Sequence, residues 1–304
     1  MIFLNDIQKI VRGAITVDEP MSKYTWMKVG GPADFYIEPA DMNDIVELIR
    51  YFTTHHYSWI VLGRGSNVLV SDEGFRGAVI NIENALSHLR IEENRVYVEA
   101  GVRLTKFVDF CIQNEFAGVE MLAGIPGTVG GAIAMNAGAH HGEIADHLLQ
   151  VEVIRNGQVM NIQKADCEFA YRQSGFTHDI VLSATFQFPR GEKEQLSAKR
   201  RELILRRNET QPLEFPNLGS MFKNPPNTFA AKLIEQAGLK GKRVGDAQVS
   251  EKHSNFIVNL GNAKAVEILR LIDLIKRTVY QNSGVMLELE VKLVGFANAT
   301  KEAA

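Results

Sequence analysis

The segment Met121–Gly142, MLAGIPGTVGGAIAMNAGAHHG, constrains this chain more than any other stretch. It holds six glycines (Gly124, Gly127, Gly130, Gly131, Gly138 and Gly142) and one proline, with no Asp, Glu, Lys or Arg. Glycine lets a backbone approach a ligand closely, and successive N–H groups can line a concave anion site. So broken a run is not expected to be helical, and its backbone polar groups need partners. Tight turns packed in a core are the plain alternative, and the density of glycine argues against it. The expectation is a ligand lying against the run, with a phosphate-bearing cofactor as first candidate.

A second glycine loop, Gly63-Arg64-Gly65-Ser66-Asn67, follows the apolar strand pattern Trp59–Leu62. A Rossmann fingerprint would need a third glycine three places after the second, opening a helix. That position is Val68, in the run Val68-Leu69-Val70, so the Rossmann reading fails. By itself this pattern is more often a strand-to-strand turn than a ligand loop. Paired with Met121–Gly142 it gains weight. The two loops offer many N–H donors and one side-chain cation, Arg64, with Ser66 and Asn67 as further donors to a diphosphate.

A length of 304 residues predicts two domains. A formal net charge of −3 gives no reason to expect nucleic acid or an anionic membrane as partner. Cys111 and Cys167 lack CxxC spacing, which fits a reducing compartment. The first residues, interrupted by Asp6, are too short an apolar run for a signal peptide or a span. A cytoplasmic, soluble protein is expected. His55-His56 and His140-His141 are adjacent pairs without helical i, i+4 spacing, so no metal is expected.

Local patterns predict strands at Ala33–Glu38, Trp59–Leu62, Ala78–Ile82, Val96–Ala100, Val151–Arg155, Ile180–Phe188, Asn255–Leu260 and Val285–Val294. Asp41 caps a helix to about His55, and Thr105 caps one to about Asn114. Further helices are expected over Glu192–Arg207, Thr228–Gln236 and Lys264 to about Gln281. The last places Val266, Leu269, Ile272, Ile275 and Val279 on one stripe and ends near Gly284. The break at Pro189-Arg190-Gly191 divides the chain into domains 1–190 and 191–304, the first in two subdomains of about 15–76 and 77–190.

The GRGSN loop followed by GIPGTVGGAIAMNAGA resembles the FAD-binding domain of the vanillyl-alcohol-oxidase type. From Tyr24–Tyr36 to the terminal strand, the chain is similar to the family of UDP-N-acetylenolpyruvoylglucosamine reductases, in its shorter type without an inserted loop. The resemblance implies an α+β fold. In it, a two-lobed FAD-binding domain precedes a smaller α+β substrate-binding domain. It implies FAD held non-covalently by Gly63, Arg64, Gly65, Ser66, Asn67, Ile125, Pro126, Gly127, Val129, Gly130, Gly131, Asn136, Ala137, Gly138 and Ala139. His140 and His141 stand where the family usually carries Tyr and Gly.

Three residues are assigned catalysis by this resemblance. Arg172, in Tyr171-Arg172-Gln173-Ser174-Gly175-Phe176, reads alone as a surface ion-pair partner. The family motif makes it the cation that stabilises an enolate, a task suited to a planar, always charged fork. Ser220, in Gly219-Ser220-Met221-Phe222-Lys223-Asn224-Pro225, reads alone as a loop serine bonding backbone. The motif makes it the general acid that protonates C2 of an enolpyruvyl group, with its own proton to be replaced. In the last strand Glu288 and Glu290 share a face, and periodicity cannot choose between them. The family pattern selects Glu290. Tyr171, Lys223, Asn224 and His253 are the expected substrate contacts.

The implied reaction passes a hydride from NADPH to FAD, then from flavin to C3 of UDP-N-acetylglucosamine enolpyruvate, giving UDP-N-acetylmuramate for the cell wall. A monomer is expected. A different FAD oxidase or dehydrogenase, acting on an alcohol or sugar lactone, is the rival enzyme reading, and a non-catalytic nucleotide-binding protein the rival outside enzymes.

Overall fold

Buried side chains fall into two separate cores, and the computed structural model, which describes residues 4–296, divides accordingly into two compact units. In chain order the elements begin with α1 (Leu4–Ile10), β1 (Ala14–Pro20), β2 (Pro32–Glu38), α2 (Met42–Thr54), β3 (Trp59–Leu62) and β4 (Val68–Val70). Then come β5 (Phe75–Asn81), β6 (Leu89–Glu92), β7 (Arg95–Glu99), α3 (Leu104–Gln113), α4 (Val129–Ala134), β8 (Gly138–Ala139) and β9 (Gly142–Glu143). Next are β10 (Leu148–Arg155), β11 (Gln158–Gln163), β12 (Ile180–Phe186), α5 (Lys193–Thr210) and α6 (Ala230–Gln236). The chain closes with β13 (Arg243–Val244), β14 (Ala247–Val249), β15 (Ile257–Asn259), α7 (Ala265–Ser283) and β16 (Lys292–Val294).

The first unit comprises residues 1–17, 35–64 and 77–207. One sheet has the order β1-β2-β5-β3, with β3 parallel to β5, and a second has the order β11-β10-β12-β7-β6 with antiparallel pairs throughout. Asp41 caps α2 as expected, its carboxylate accepting from the N–H groups of Asn43 and Asp44. The same helix buries Ile45, Leu48, Ile49 and Phe52, a stripe at i, i+3, i+4 and i+7. Helix α3 starts earlier than the Thr105 cap predicted. Leu104 N–H donates to Gly127 O at 3.0 Å, so the glycine segment fixes the first turn and Arg103 becomes the N-cap.

The glycine segment itself corrects the expectation that it holds no helix. Residues Val129–Ala134 form α4, with the Thr128 side chain accepting from Gly131 N–H. Tertiary packing overrides propensity here. A Cβ on Gly130 would lie 2.7 Å from Ala100 Cβ, so only glycine lets this turn sit against the strand end.

Among the described residues the second unit comprises 18–34, 65–76 and 208–296, which differs from the division expected at residue 190. Its core holds Met27, Val29 and Leu69 beside Leu218, Met221, Ile257 and Leu271, so two N-terminal segments are built into it. Hydrogen bonds follow the same pattern. Asn259 Nδ2 donates to Met27 O at 2.9 Å, and the Asp72 carboxylate accepts from Ala265 and Val266 N–H at the start of α7. Strand β16 runs parallel to β4, opposing Leu293 and Leu69. None of these partners is close in sequence, so no linker composition marks the true boundary. Helix α5 continues through the expected end at Arg207, and the division falls after that residue.

Helix α7 ends on Gly284 at φ +72, as expected. Its buried stripe is Ala265, Ile268, Leu271, Ile272, Ile275 and Val279, while Val266 is exposed. The turn of 100° per residue puts Ala265 and Ile268, not Val266, in line with Ile272 and Ile275. The expected strand 285–294 contributes a ladder only at Lys292–Val294. Upstream it buries Leu287 and Val291, exposes Met286, and pairs instead with residues 221–223.

Candidate active site

In the first unit the two glycine stretches meet. A Cβ on Gly63 would lie 2.6 Å from Thr128 Oγ1, so the first loop packs on the cap of α4. Arg64 Nη1 donates to Glu83 Oε1 at 3.2 Å, and Arg103 Nε donates to the same oxygen at 2.6 Å. The Arg103 backbone forms an isolated bridge with Thr128, and its guanidinium shares the Glu83 carboxylate with Arg64. Arg103 lies in no glycine loop, so no local pattern signals this link. Gly65, Ser66 and Asn67, the rest of the first loop, belong to the second unit.

Beyond α4 the chain forms the hairpin β8–β9, with Gly138 opposite Glu143. Its two-residue turn is His140-His141, at φ +52 and +68, both left-handed as a type I′ turn requires. Glycine would take the second position without strain, so the histidine there carries a backbone cost. Burial, then Arg206, Arg207, Lys199 and His141, hold His140 below its ordinary pKa. Arg207 packs its Cδ near Gly124, and burial brings its pKa down to about 10.

Arg172 lies against this hairpin. Ala170 and Gln173 exchange two backbone hydrogen bonds of 3.0 Å, closing a tight turn in which Arg172 takes φ +55. That region favours glycine or asparagine, so an arginine there marks a site worth explaining. Its Nη2 donates to Gly138 O at 2.6 Å, and Nη1 stands 3.5 Å from Glu143 Oε1. The guanidinium also covers the Tyr171 ring, 4.8 Å from its centroid.

Two observations bear on whether a flavin dinucleotide fits these residues. Asn136 is 1% exposed, and its Nδ2 donates to both Glu143 Oε2 (2.7 Å) and Ala170 O (2.9 Å). Two acceptors fix which amide atom is nitrogen, and among the described residues Oδ1 then has no hydrogen-bond partner. A buried carbonyl of this kind is free to accept from a ligand N–H or O–H. Gly131 is exposed, and a Cβ there would meet only Thr128 Oγ1, at 3.5 Å. Glycine in a helix costs about 1 kcal/mol against alanine, and among the described residues no packing demands it here. The open space leaves room for a ligand to approach this backbone closely. The residues therefore fit FAD.

In the second unit Ser220 follows Gly219, which takes φ +77; a Cβ there would meet nothing within 4 Å. The backbone after it is clamped. Met221 N–H donates to Asn255 O (2.8 Å), and the Asn255 side chain both accepts from Phe222 N–H (3.0 Å) and donates to Phe222 O (2.8 Å). On the other side Glu290 N–H donates to Met221 O and Lys223 N–H to Glu288 O, each at 2.9 Å. Asn217 braces the start of the motif, its Oδ1 accepting from Gly219 N–H. Ser220 and Glu290 thus sit on adjoining segments, and Asn67 Nδ2 ties in by donating to Glu290 O at 3.1 Å.

The expected substrate contacts fare differently. Lys223 pairs with Glu288 across the same two segments. Asn224 Oδ1 accepts from Ala230 N–H at the start of α6, which leaves its amide nitrogen for other partners. His253 packs edge-on to Phe256, its Nδ1 accepts from Asn255 N–H (3.3 Å), and burial lowers its pKa. Asn255 is absent from the residues expected at the site. It lies 33 residues from Phe222, beyond the reach of any local pattern.

Among the described residues no helix is long and apolar enough to cross a membrane. The family model of the UDP-N-acetylenolpyruvoylglucosamine reductase C-terminal domain matches residues 211–294, and that of a FAD binding domain matches residues 33–163. The UDP-N-acetylenolpyruvoylglucosamine reductase of Chloroherpeton thalassium is 44% identical over 97% of this chain and 98% of its own. That of Clostridium kluyveri is 42% identical over 92% and 93%. Among solved structures, UDP-N-acetylenolpyruvylglucosamine reductase from Thermus caldophilus matches with a TM-score of 0.78 at 34% identity, covering 93% of this chain and 99% of that one. A berberine bridge enzyme variant shares the fold alone, at TM-score 0.50 and 17% identity over 62% of this chain and 43% of its own. The fold is α+β, a FAD-binding domain of the vanillyl-alcohol-oxidase type with a smaller separate domain. The chain belongs to the UDP-N-acetylenolpyruvoylglucosamine reductase family of FAD enzymes.

Proposed function

We propose that this enzyme uses NADPH to reduce UDP-N-acetylglucosamine enolpyruvate to UDP-N-acetylmuramate, a peptidoglycan precursor. The observation that carries the reading is the clamped GSMFKNP motif, in which Asn255 and the strand bearing Glu290 hold the backbone beside Ser220 from both sides. FAD, when bound, supplies the hydride chemistry between NADPH and C3 of the enolpyruvyl group. The residues that would hold it are Gly63, Arg64, Gly65, Ser66 and Asn67, together with the segment from Ile125 to Ala139.

Addition of hydride at C3 places negative charge at C2 and on the attached carboxylate. Arg172 stabilises that charge as an enolate, since its guanidinium stays cationic at any working pH and donates in a plane. Glu290 polarises the same carboxylate, through its protonated form or a bridging water. Ser220 delivers the proton to C2, and a second donor must then reprotonate it, because a serine hydroxyl is a weak acid. Tyr171, Lys223, Asn224 and His253 contact the nucleotide-sugar. The low net charge and two free cysteines support a cytoplasmic enzyme working without nucleic acid or membrane, and we read it as a monomer.

The test is anaerobic. NADPH should bleach the flavin of the purified protein, and UDP-N-acetylglucosamine enolpyruvate should restore its colour with formation of UDP-N-acetylmuramate. Recovery that needs oxygen and ignores this substrate would overturn the reading in favour of an oxidase.

A further inference from the structure

We propose that Glu143 is a positioning residue that aims the Arg172 guanidinium, acting with Asn136 as its brace; this rests on the enolate-stabilising role given to Arg172 above. Gly138 and Glu143 face each other across the β8–β9 pair, so one hairpin rung offers Arg172 two acceptors, a carbonyl and a carboxylate. Nη2 meets the carbonyl at 2.6 Å, and Nη1 faces the carboxylate at 3.5 Å. Two anchors on one guanidinium fix the direction in which its other donors point.

The carboxylate is itself held. Glu143 Oε2 accepts from Asn136 Nδ2 at 2.7 Å, and Glu143 N–H donates to Asp146 Oδ2 at 2.8 Å. Asn136 also donates to Ala170 O, the carbonyl that closes the turn under Arg172. One buried amide therefore braces both the backbone beneath the arginine and the counter-ion beside its head. Asn136 and Arg172 both take left-handed backbone, at φ +43 and +55. Asparagine takes that region readily and arginine seldom does, so the turn under Arg172 is the one that needs support, and the ring of contacts supplies it. An ordinary surface ion pair lacks these features, and the Arg172 side chain is only 17% exposed.

Glu143→Gln tests the proposal, since the amide oxygen still accepts from Asn136 while the charge facing Arg172 is lost. In single-turnover reoxidation of NADPH-reduced enzyme by UDP-N-acetylglucosamine enolpyruvate, the saturated rate should fall about 10-fold, as a misaimed group would produce. The substrate KM should not rise, and flavin reduction by NADPH should keep its rate. In an Arg172→Ala background the same change should cost nothing further, because Glu143 then has nothing to aim. Wild-type reoxidation in Glu143→Gln, or losses that multiply in the double variant, would overturn the proposal. Arg172→Ala reoxidising at the wild-type rate would instead sink the role of Arg172 itself. Glu143→Asp, which keeps the charge, should recover most of the rate; loss of FAD from both Glu143 variants would show a structural role and refute positioning.

Discussion

In the first unit Arg172 stands on a left-handed residue in a tight turn, and side chains far apart in sequence (Asn136 and Glu143) hold it. In the second unit Ser220 precedes backbone that pairs on both sides by main-chain and amide hydrogen bonds. The contrast matches the roles proposed for the two groups. A cation meeting developing charge needs its donors aimed, which calls for charged and polar partners and tolerates local strain. A hydroxyl giving one proton needs its Cα held in place, and a pinned backbone does that.

The largest effects should come from removing the groups themselves. Arg172→Ala should lower turnover with the enolpyruvyl substrate by about 10²–10³-fold, the range for one lost donor to a developing anion. Melting temperature and FAD content should change little, because the Arg172 side chain lies at the edge of the hairpin and not in the core. A large loss of stability would erase the distinction drawn between the two regions.

Asn255→Ala should act in the opposite way. It strands the N–H and C=O of Phe222, which is 1% exposed, and should cost about 2–6 kcal/mol of stability at roughly 1–3 kcal/mol per unpaired group. Denaturant unfolding of the second unit measures this. A stable Asn255→Ala protein with slow turnover would mean that Asn255 acts in the chemistry and not as a clamp.

Two neighbouring glycines sharpen the comparison within the first unit. Gly130→Ala forces a Cβ against Ala100 and should destabilise by about 1–3 kcal/mol. Gly131→Ala meets open space and should leave the apoprotein as stable or up to about 1 kcal/mol more so. FAD titration should nevertheless show the Gly131→Ala protein binding more weakly. Unchanged affinity there would break the argument that a ligand approaches the Gly131 backbone closely.

The smallest effect is a pH dependence. Burial holds His253 in the second unit and His140 in the first below their ordinary pKa. The unfolded chain therefore binds more protons once the pH drops through about 6.5, and stability falls from there toward the lowered native values. Above that pH the contribution is fully present. Thermal unfolding across this range should show the decline, and His253→Asn should flatten part of it.

Legibility in the sequence follows sequence distance. Asp41, Gly284 and the apolar face of α2 declare themselves within one or two turns, so those elements can be read together with their ends. The α4 helix is hidden because its glycines answer to Ala100, 30 residues away, and not to helix propensity. The second unit departs from the expected boundary for the same reason, as Met27 and Leu69 join a core made mostly of residues after 207. Arg172, Ser220 and Glu290 are reached through motif resemblance, while their own surroundings read as ordinary loop and strand. Their supports (Asn136, Glu143 and Asn255) are contacts made by the fold. Of these only Asn136 is expected at the site from sequence, and in another role.

The central claim is that Ser220 serves proton delivery to the substrate and nothing earlier. Stopped-flow measurement of both half-reactions in Ser220→Ala tests it most directly. Reduction by NADPH should proceed at the wild-type rate, and reoxidation by UDP-N-acetylglucosamine enolpyruvate should slow by about 10²–10⁴-fold, the range for a lost general acid. Reoxidation of the variant at the wild-type rate would contradict the account.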